Sequence, residues 1–241
     1  TTVVCVWRNI NNIWSSPIIL SSGLQYINVF DDLAFSKDGN TIVASVRSTD
    51  ISDIYGWIGV WNYSNGSWGS VIQLQQPGID YNHLGKYVDI SYDGKVIVSI
   101  ADQISTLKTA VLVWRNINNM WSSPITLPIA NYALLASTDP SYLVKQIKIS
   151  GDGNTILINN GFRFGSGGII MCKYINNSWK YITIIDQYNI INFPMYNGLL
   201  NSGITEMSPI LMNGDATKIY IGWRQEYQQI SSNGLHMLVI G

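Results

Sequence analysis

Two 13-residue segments of the chain are almost identical, and this internal repeat constrains the fold more than any other feature of the sequence. Residues 6–18 read VWRNINNIWSSPI and residues 113–125 read VWRNINNMWSSPI, so the two segments differ only at Ile13 and Met120. Weaker copies of the same outline occupy residues 60–68 and 172–179. Such a repeat is typical of proteins that stack one supersecondary unit several times.

Each copy predicts a β-hairpin. An apolar, β-branched run is followed by a segment of Asn, Gly and Ser, residues that tolerate tight turns. A Trp then opens the returning strand, and its fixed position predicts core packing between repeat units for Trp14, Trp68, Trp121 and Trp179. Pro17 and Pro124 lie in the returning strand. Because proline cannot donate a ladder hydrogen bond, we expect this to be an edge strand.

A second hairpin alternates with the first. Three of its copies centre on Asp38-Gly39, Asp93-Gly94 and Asp152-Gly153, and a degenerate copy carries Gly214-Asp215 at the turn. Asp-Gly between alternating apolar strands is a strong hairpin signal, because the turn requires a positive φ. Replacing Gly94 with Val is therefore expected to damage folding, since a β-branched residue resists positive φ.

The two hairpins form a four-strand unit, A-B-C-D. Its period is 54 residues from Trp7 to Trp61, 53 from Trp61 to Trp114 and 59 from Trp114 to Lys173. This pattern predicts an all-β fold, a β-propeller built of four-stranded antiparallel blades, with a β-sandwich or solenoid as the alternative. The predicted organisation is one domain over residues 1–241, with a partial blade at 1–30, blades at 31–78, 79–130 and 131–188, and a partial blade at 189–241.

The strand count leaves ring closure open. The 17 expected strands are not a whole number of four-strand blades, because both ends of the chain offer a C strand. Two arrangements fit this count. Either about four blade equivalents close with one terminal strand displaced, or the chain is a segment of a larger propeller.

The segment Leu84-Gly85-Lys86-Tyr87-Val88-Asp89-Ile90-Ser91-Tyr92-Asp93-Gly94 resembles the FG-GAP repeat of integrin α-subunit-like β-propellers. The Val-Trp or Val-Tyr, polar turn, Trp pattern is similar to bacterial and viral relatives of that family. The resemblance implies a propeller. Leu84 replaces the Phe of the motif, and the Gly-Ala-Pro element is absent. The family's calcium loops need several alternate Asp residues, whereas each loop here has one, so no calcium site is carried over.

Composition narrows the possible partners. Charged residues make up 12% of the chain, and the net charge is −1. This gives little attraction to nucleic acid or anionic membranes, and such a surface associates readily with proteins, including its own copies. No apolar run approaches the roughly 18 residues of a membrane span. Cys5 and Cys172 lie in apolar runs and are expected to be buried free thiols.

We find no catalytic or metal-binding constellation in the sequence. His83 follows Asp80 in a loop, and a surface or turn histidine is favoured over an acid–base pair. No zinc-ligand spacing or nucleophile elbow occurs, and no cofactor is expected. The Gly-rich segment 161–168 lacks the Lys-Ser/Thr of a phosphate loop and reads as a flexible B–C loop. Asn62, Asn65 and Asn176 head glycosylation sequons in expected C–D turns.

Binding residues are harder to identify. Tyr55, Trp57 and Trp223 do not repeat uniformly, which makes them candidates for exposed aromatic contacts. The favoured function is a non-enzymatic structural or interaction module that assembles with proteins, with a virion or cell surface as the expected location. The alternatives are a lectin-like, carbohydrate-binding propeller and a hydrolase with a site between blades.

Overall fold

The computed structural model describes residues 3–21, 28–48, 56–105, 108–127, 144–163, 166–185, 204–227 and 230–239. Within these ranges the chain forms antiparallel strands and turns, and no helix occurs. None of the described residues forms a helix long and apolar enough to cross a membrane. The all-β prediction is confirmed.

The strands follow the chain from the first described residues to the last. Their bounds are β1 (Val3–Val6), β2 (Asn9–Ile10), β3 (Ile13–Trp14), β4 (Ile18–Ser21), β5 (Asn28–Val29), β6 (Leu33–Phe35), β7 (Thr41–Ser48), β8 (Trp57–Ser64), β9 (Ser67–Trp68), β10 (Ile72–Gln75), β11 (Tyr81–Asn82), β12 (Val88–Ile90), β13 (Val96–Gln103), β14 (Lys108–Ile117), β15 (Met120–Trp121), β16 (Ile125–Thr126), β17 (Val144–Ile149), β18 (Thr155–Arg163), β19 (Ser166–Ile175), β20 (Ser178–Ile185), β21 (Ile204–Met212), β22 (Lys218–Tyr227) and β23 (Ile230–Val239).

These strands form five successive sheets. The first sheet pairs β1 with β4, which occupy the C and D positions. The second, third and fourth sheets have the full A-B-C-D order, as β6-β7-β8-β10, β12-β13-β14-β16 and β17-β18-β19-β20. The fifth sheet is β21-β22-β23, in positions A to C. The remaining short strands extend these sheets or close their hairpins. The antiparallel four-strand unit is therefore confirmed.

The innermost strands β6, β12, β17 and β21 lie side by side in chain order. Their A–B turns are joined by backbone hydrogen bonds at one end of the molecule. The amide of Lys37 donates to the Tyr92 carbonyl at 3.0 Å, the Tyr92 amide to the Gly151 carbonyl at 2.9 Å, and the Asp152 amide to the Gly214 carbonyl at 3.1 Å. The turns thus fix the sheets to one another as well as closing their own hairpins.

The first three A–B turns are each held by a serine and an aspartate. In the first copy the Ser36 hydroxyl donates to Asp38 Oδ1 at 2.6 Å and accepts the Thr41 amide at 2.9 Å. Only the glycine has positive φ, as the Asp-Gly signal predicts. The fourth copy differs from the prediction. Ala216, with φ 56°, and not the Gly214-Asp215 pair, takes the position of Gly39.

The C–D turns confirm the Asn-rich turn chemistry. Three turns contain consecutive asparagines with positive φ, and a fourth pairs Asn65 with Gly66. This geometry fits a tight hairpin turn whose two central residues are left-handed. Asn176 and Asn65 lie in these turns, whereas Asn62 lies within β8, so the turn position predicted for Asn62 is wrong.

The core consists of apolar layers between successive sheets. We call the face of a sheet that contacts the preceding sheet in chain order its leading face, and the opposite face its trailing face. The leading-face side chain of Trp114 packs with Val43, Ile58 and Val60 of the second sheet. Trp61 likewise packs with Val4 and Leu20 of the first.

The register of the fourth sheet corrects the sequence alignment. Ile42 pairs with Trp61, Ile97 with Trp114, and Ile156 with Cys172. Cys172, rather than Lys173, therefore occupies the tryptophan position of the C strand. The Trp of the C–D hairpin is the better anchor, because Trp68, Trp121 and Trp179 each follow this position by seven residues.

Leu84 and Gly85 attach the third sheet to the second. Leu84 is fully buried in the layer between them. Gly85 has φ 102°, and an added Cβ would lie 2.8 Å from Ser45 Cβ. The leucine thus fills the layer, while the glycine allows the backbone to approach Ser45.

Two further predictions on local structure are corrected. Residues 161–163 and 166–168 belong to β18 and β19, where Arg163 pairs with Ser166, so the predicted flexible B–C loop is wrong over these residues. Pro17 and Pro124 lie directly before β4 and β16 rather than within them. These two strands are nonetheless sheet edges, as the prolines indicated, because each pairs on one side only in the described residues.

Candidate functional site

The leading face of the first sheet is exposed, although its repeat counterparts are buried. Trp7 is 53% exposed, whereas Trp61 and Trp114, at the same repeat position, are each 1% exposed. Trp14 is 66% exposed, whereas Trp179 is buried. The core role predicted for Trp14 is therefore wrong, because no described sheet covers it. Trp68 and Trp121 are half-buried and pack against the preceding sheet.

Strand β6 repeats this pattern in the second sheet. Leu33 is 48% exposed and Phe35 is 64% exposed, while Val88 and Ile90, at the same positions of β12, are 1% and 4% exposed. Val88 and Ile90 are covered by the second sheet. Leu33 and Phe35 would be covered in the same way by A and B strands of the first sheet, which the described residues do not provide.

These side chains line one open groove beside β1. Its volume is about 560 Å³, and its walls include Val6, Trp7 and Trp14 from the first sheet, with Leu33 and Phe35 from the second. Among the described residues β1 pairs only with β4, so one backbone edge of β1 faces the groove. The groove therefore combines an unpaired strand edge with an apolar floor, and we call it the leading-edge groove.

Polar side chains at or beside the inner strands connect successive sheets. Asp32 Oδ2 accepts the Val88 amide at 3.0 Å, Asp89 Oδ2 accepts the Ile149 amide at 2.9 Å, and the Gln146 side-chain oxygen accepts the Ile210 amide at 2.6 Å. Each bond runs from one sheet to the next. An inner edge strand has backbone donors without ladder partners, and these side chains satisfy them.

Burial changes the acidity of two groups on this inner wall. It raises the pKa of Asp89 above its ordinary value, although Lys148, whose Nζ lies 3.7 Å from Asp89 Oδ2, acts in the opposite direction. Burial also raises the pKa of Tyr87, with Asp32 and Asp31 adding to the effect. A raised carboxyl pKa can mark a functional group. Asp89 has a structural role here, because its side chain accepts the Ile149 amide of the next sheet.

The loop around His83 does not assemble an acid–base pair with Asp80. His83 Nδ1 lies 3.2 Å from Asp102 Oδ2 on β13. Asp80 instead accepts the Ser105 hydroxyl at 2.7 Å and the Gln103 amide group at 2.9 Å. The Ser105 hydrogen bond is the main reason that the pKa of Asp80 lies below its ordinary value. Ser105 and Gln103 thus bind the Asp80 carboxylate, while His83 contacts Asp102.

The three aromatic candidates have different positions. Tyr55 lies outside the described residues. Trp57 begins β8 and is half-buried, near Gly59, where an added Cβ would meet both Trp57 and Trp61. Trp223 lies in β22, and its side chain is outside the described part. The described structure does not bring these residues together, and their binding role stays a prediction.

The cysteines behave differently from each other. Cys172 is buried, and burial raises the pKa of its thiol to about 12. Cys5 is exposed, so the expectation that both thiols are buried is wrong for Cys5. Its side chain lies on the open leading face of β1. Within the described ranges, no three His, Cys, Asp or Glu side chains cluster in a way that could hold a metal ion.

Sequence reasoning missed a pair of arginine contacts between sheets. The Arg8 guanidinium lies 3.8 Å from the centroid of the Tyr63 ring and donates to Asn40 at 3.3 Å. Arg115 repeats this arrangement on Tyr174 and the Gly153 carbonyl, at 3.8 Å and 3.3 Å. The signal was the Val-Trp-Arg sequence in both near-identical segments. In both segments the arginine reaches the following sheet, and in the second segment Trp114 packs on the preceding one.

Comparisons with known proteins identify the architecture. No protein-family model matches the chain. No curated protein matches it in sequence either. The chain is similar in structure to the periplasmic gluconolactonase PpgL of Pseudomonas aeruginosa, with 12% identity and a TM-score of 0.55 over 97% of this chain and 62% of that one.

A second similar structure is the β-propeller domain of the Trilobed protease from Pyrococcus furiosus. Identity is 12% and the TM-score is 0.54, over 89% of this chain and 55% of that one. TolB from Acinetobacter baumannii aligns with a TM-score of 0.49 and 14% identity, over 93% of this chain and 44% of TolB. The chain thus spans about half the length of these structures. Sheet order, the stacked inner strands and the likeness to the Trilobed protease domain and PpgL together show that the chain has a β-propeller fold.

Proposed function

We propose that the chain is a non-enzymatic interaction module that assembles with proteins, including further copies of itself, through its leading-edge groove. The observation that carries the proposal is the exposure of Trp7, Trp14, Leu33 and Phe35, whose repeat counterparts lie against or within a layer between sheets. Contiguous exposed apolar surface of this kind marks protein contact sites. The chain has few charges and a net charge near zero, so electrostatic repulsion opposes association only weakly.

The polar groups support a scaffold. Asp32, Asp89 and Gln146 bond one sheet to the next, and Asp80 is occupied by Ser105 and Gln103. These groups hold sheets and loops together rather than converging on one open site. A location at a virion or cell surface and kinship with FG-GAP propellers belong to the same proposal.

A lectin-like function is the second candidate, because the same groove exposes two indole rings, Trp7 and Trp14. Exposed aromatic faces are large apolar surfaces with a polar edge, which suits stacking against a sugar ring. A glycan array distinguishes the two candidates. Clean binding to one sugar class, lost in Trp14→Ala, would favour the lectin and contradict the scaffold.

The scaffold proposal is tested by sedimentation velocity over a wide series of protein concentrations. We expect the weight-average sedimentation coefficient to rise with concentration, and Phe35→Lys to suppress the rise because it places a charge in the groove. Ile79→Lys is the matched control, since Ile79 is 85% exposed and lies outside the groove. A monomer at every concentration, or equal behaviour of the two variants, would contradict the proposal.

A further inference from the structure

We infer that a neutral pyranose sugar binds in a cleft on the outer side of the molecule, between the first and second sheets. We call it the outer cleft, and it is lined by residues 18–21 of the first sheet and by Trp61, Tyr63 and residues 66–71 of the second. It shares no lining residue with the leading-edge groove. The inference therefore goes beyond the proposed function and concerns a different site.

The described strands form both walls of the outer cleft. One wall is β4, whose Leu20 packs with Trp61 of the second sheet at the buried floor of the cleft. The other wall is the C–D hairpin that joins β8 to β9, with the residues that lead from it to β10. The volume of the cleft is about 490 Å³, within the range of roughly 300–1,000 Å³ that is usual for small-molecule sites. Its size thus suits a small ligand.

Aromatic side chains of the hairpin are fixed along this cleft. Tyr63 and Trp68 pair across the two strands, and their rings meet edge to face with centroids 5.4 Å apart. The Arg8 guanidinium lies 3.8 Å from the centroid of the Tyr63 ring and is itself bonded to Asn40. Aromatic side chains that are fixed before binding lose little freedom when a ligand arrives. The cleft therefore offers a preformed surface for the apolar face of a sugar ring.

The fourth sheet shows why Trp68 remains open. Tyr174 and Trp179 form the same pair there, with ring centroids 5.3 Å apart, but Trp179 is buried whereas Trp68 is half-buried. The two residues that follow the tryptophan are small in the second sheet and large in the fourth, Gly69 and Ser70 against Lys180 and Tyr181. The second sheet thus has the same aromatic pair with free space beside it, as a binding site requires.

The polar groups of the outer cleft indicate the class of ligand. Ser67 and Ser70 are exposed and bring two hydroxyl groups to its lining, and none of the described residues that line it is charged. A pyranose ring has apolar C–H faces and hydroxyl groups at its edge, which match an aromatic wall with hydroxyl groups beside it. A charged ligand would lose hydration here without gaining a partner of opposite charge. A neutral sugar is therefore the ligand that fits this lining.

The test is saturation-transfer NMR on the full chain with the methyl pyranosides of glucose, galactose, mannose and fucose, each titrated to obtain a dissociation constant. We expect saturable binding of at least one of them. Ser70→Tyr brings into the cleft the residue that the fourth sheet has at this position. It should weaken binding by about tenfold or more, because the added ring occupies the space of the sugar.

The third sheet provides a matched control, Ser123→Tyr, which is the same substitution two residues after Trp121. Both serines are exposed, so we expect both variants to fold, and thermal unfolding followed by circular dichroism checks this. Ser123→Tyr should leave sugar binding unchanged. Trp14→Ala should also leave it unchanged, because Trp14 lines the leading-edge groove and not the outer cleft.

Absence of saturable binding by all four glycosides, or equal effects of the two tyrosine substitutions, would overturn the inference. Sugar binding that is lost in Trp14→Ala and kept in Ser70→Tyr would place the sugar in the leading-edge groove, which also overturns it. If Ser70→Tyr suppresses the rise in sedimentation coefficient and no sugar binds, the outer cleft is a protein contact instead. The proposed function is judged separately, by the effect of Phe35→Lys on sedimentation.

Discussion

Residues of the same type have different structural roles in successive repeats, and the turn glycines show this most clearly. Gly39 and Gly94 have nearly the same φ, 67° and 71°. An added Cβ at Gly39 meets nothing within 4 Å, whereas at Gly94 it would lie 2.9 Å from Thr41 Oγ1 and 3.3 Å from Thr41 Cβ in the preceding sheet. Gly94 is therefore required for both its backbone conformation and the close contact.

This pair gives a prediction at the residue scale. Gly39→Ala should lower the free energy of unfolding by about 1 kcal/mol, the lower end of the cost of a left-handed residue with a side chain. Gly94→Ala should cost at least about 1 kcal/mol more, because Thr41 must move as well. Urea unfolding of both variants measures the difference. Equal midpoints would mean that the contact with Thr41 has no energetic effect.

At the scale of elements, the C strand and its tryptophan provide the repeated contact between sheets. Trp114 is buried and packs on the second sheet, while no sheet among the described residues covers Trp7 at the same motif position. The near-identical segments 6–18 and 113–125 therefore fold alike locally but differ in what covers them. Burial depends on the neighbouring sheet rather than on the motif.

The two tryptophans can be compared directly by substitution. Trp114→Ala should destabilise the protein by about 3–5 kcal/mol, the usual range for removing a buried aromatic side chain. Trp7→Ala should change stability by about 0.5 kcal/mol or less, as an exposed substitution does. Thermal unfolding followed by circular dichroism is the measurement. A large loss of stability in Trp7→Ala would show that the groove is covered in solution by the protein itself.

At the scale of the whole molecule, side chains near the inner edge bind the sheets into one stack. Asp89 links β12 to β17 through the Ile149 amide and is close to Lys148. Asp89→Ala leaves that buried amide without its acceptor and should cost about 1–3 kcal/mol. Asp89→Asn keeps an acceptor and serves as the matched control.

The Asn variant also predicts a pH dependence. Because burial raises the folded-state pKa of Asp89 above 3.8, the folded protein holds this proton more tightly than the unfolded chain does. The corresponding stability is present below pH 3.8 and is lost as the pH rises through the folded-state pKa. The stability of wild type relative to Asp89→Asn should therefore fall as the pH rises across this window. A constant difference across the pH series would contradict the assigned shift.

Much of the repeat could be predicted without the structure. The Asp-Gly and Asn-rich turns need positive φ at particular residues, and the structure confirms this at Gly94 and at Asn118 and Asn119. Strand roles followed from those turns and from alternation of apolar residues. The register of the fourth sheet could not be predicted reliably, because a cysteine stands where the other repeats have tryptophan.

The sites were less predictable for a physical reason. Asp32 and Gln146 occupy the same repeat position, and each accepts the same backbone amide of the next sheet with a different side chain. Asp89 instead accepts an amide two residues further along the next A strand. No fixed residue type or spacing encodes such bonds. They depend on which backbone amides the adjacent sheet leaves unpaired.

The sequence by itself determined the four-strand unit, its turns and its edge strands, because turn conformation and alternation are local properties of the chain. Only the tertiary structure decided that Trp7, Trp14, Leu33 and Phe35 are exposed while their repeat counterparts pack against the preceding sheet. Burial is set by what lies against a residue, and at these four positions the described residues provide no covering strands of a preceding sheet. The near-identical segments thus specify the same hairpin twice, and the stacking of sheets makes one of them core and the other a binding surface in our proposal.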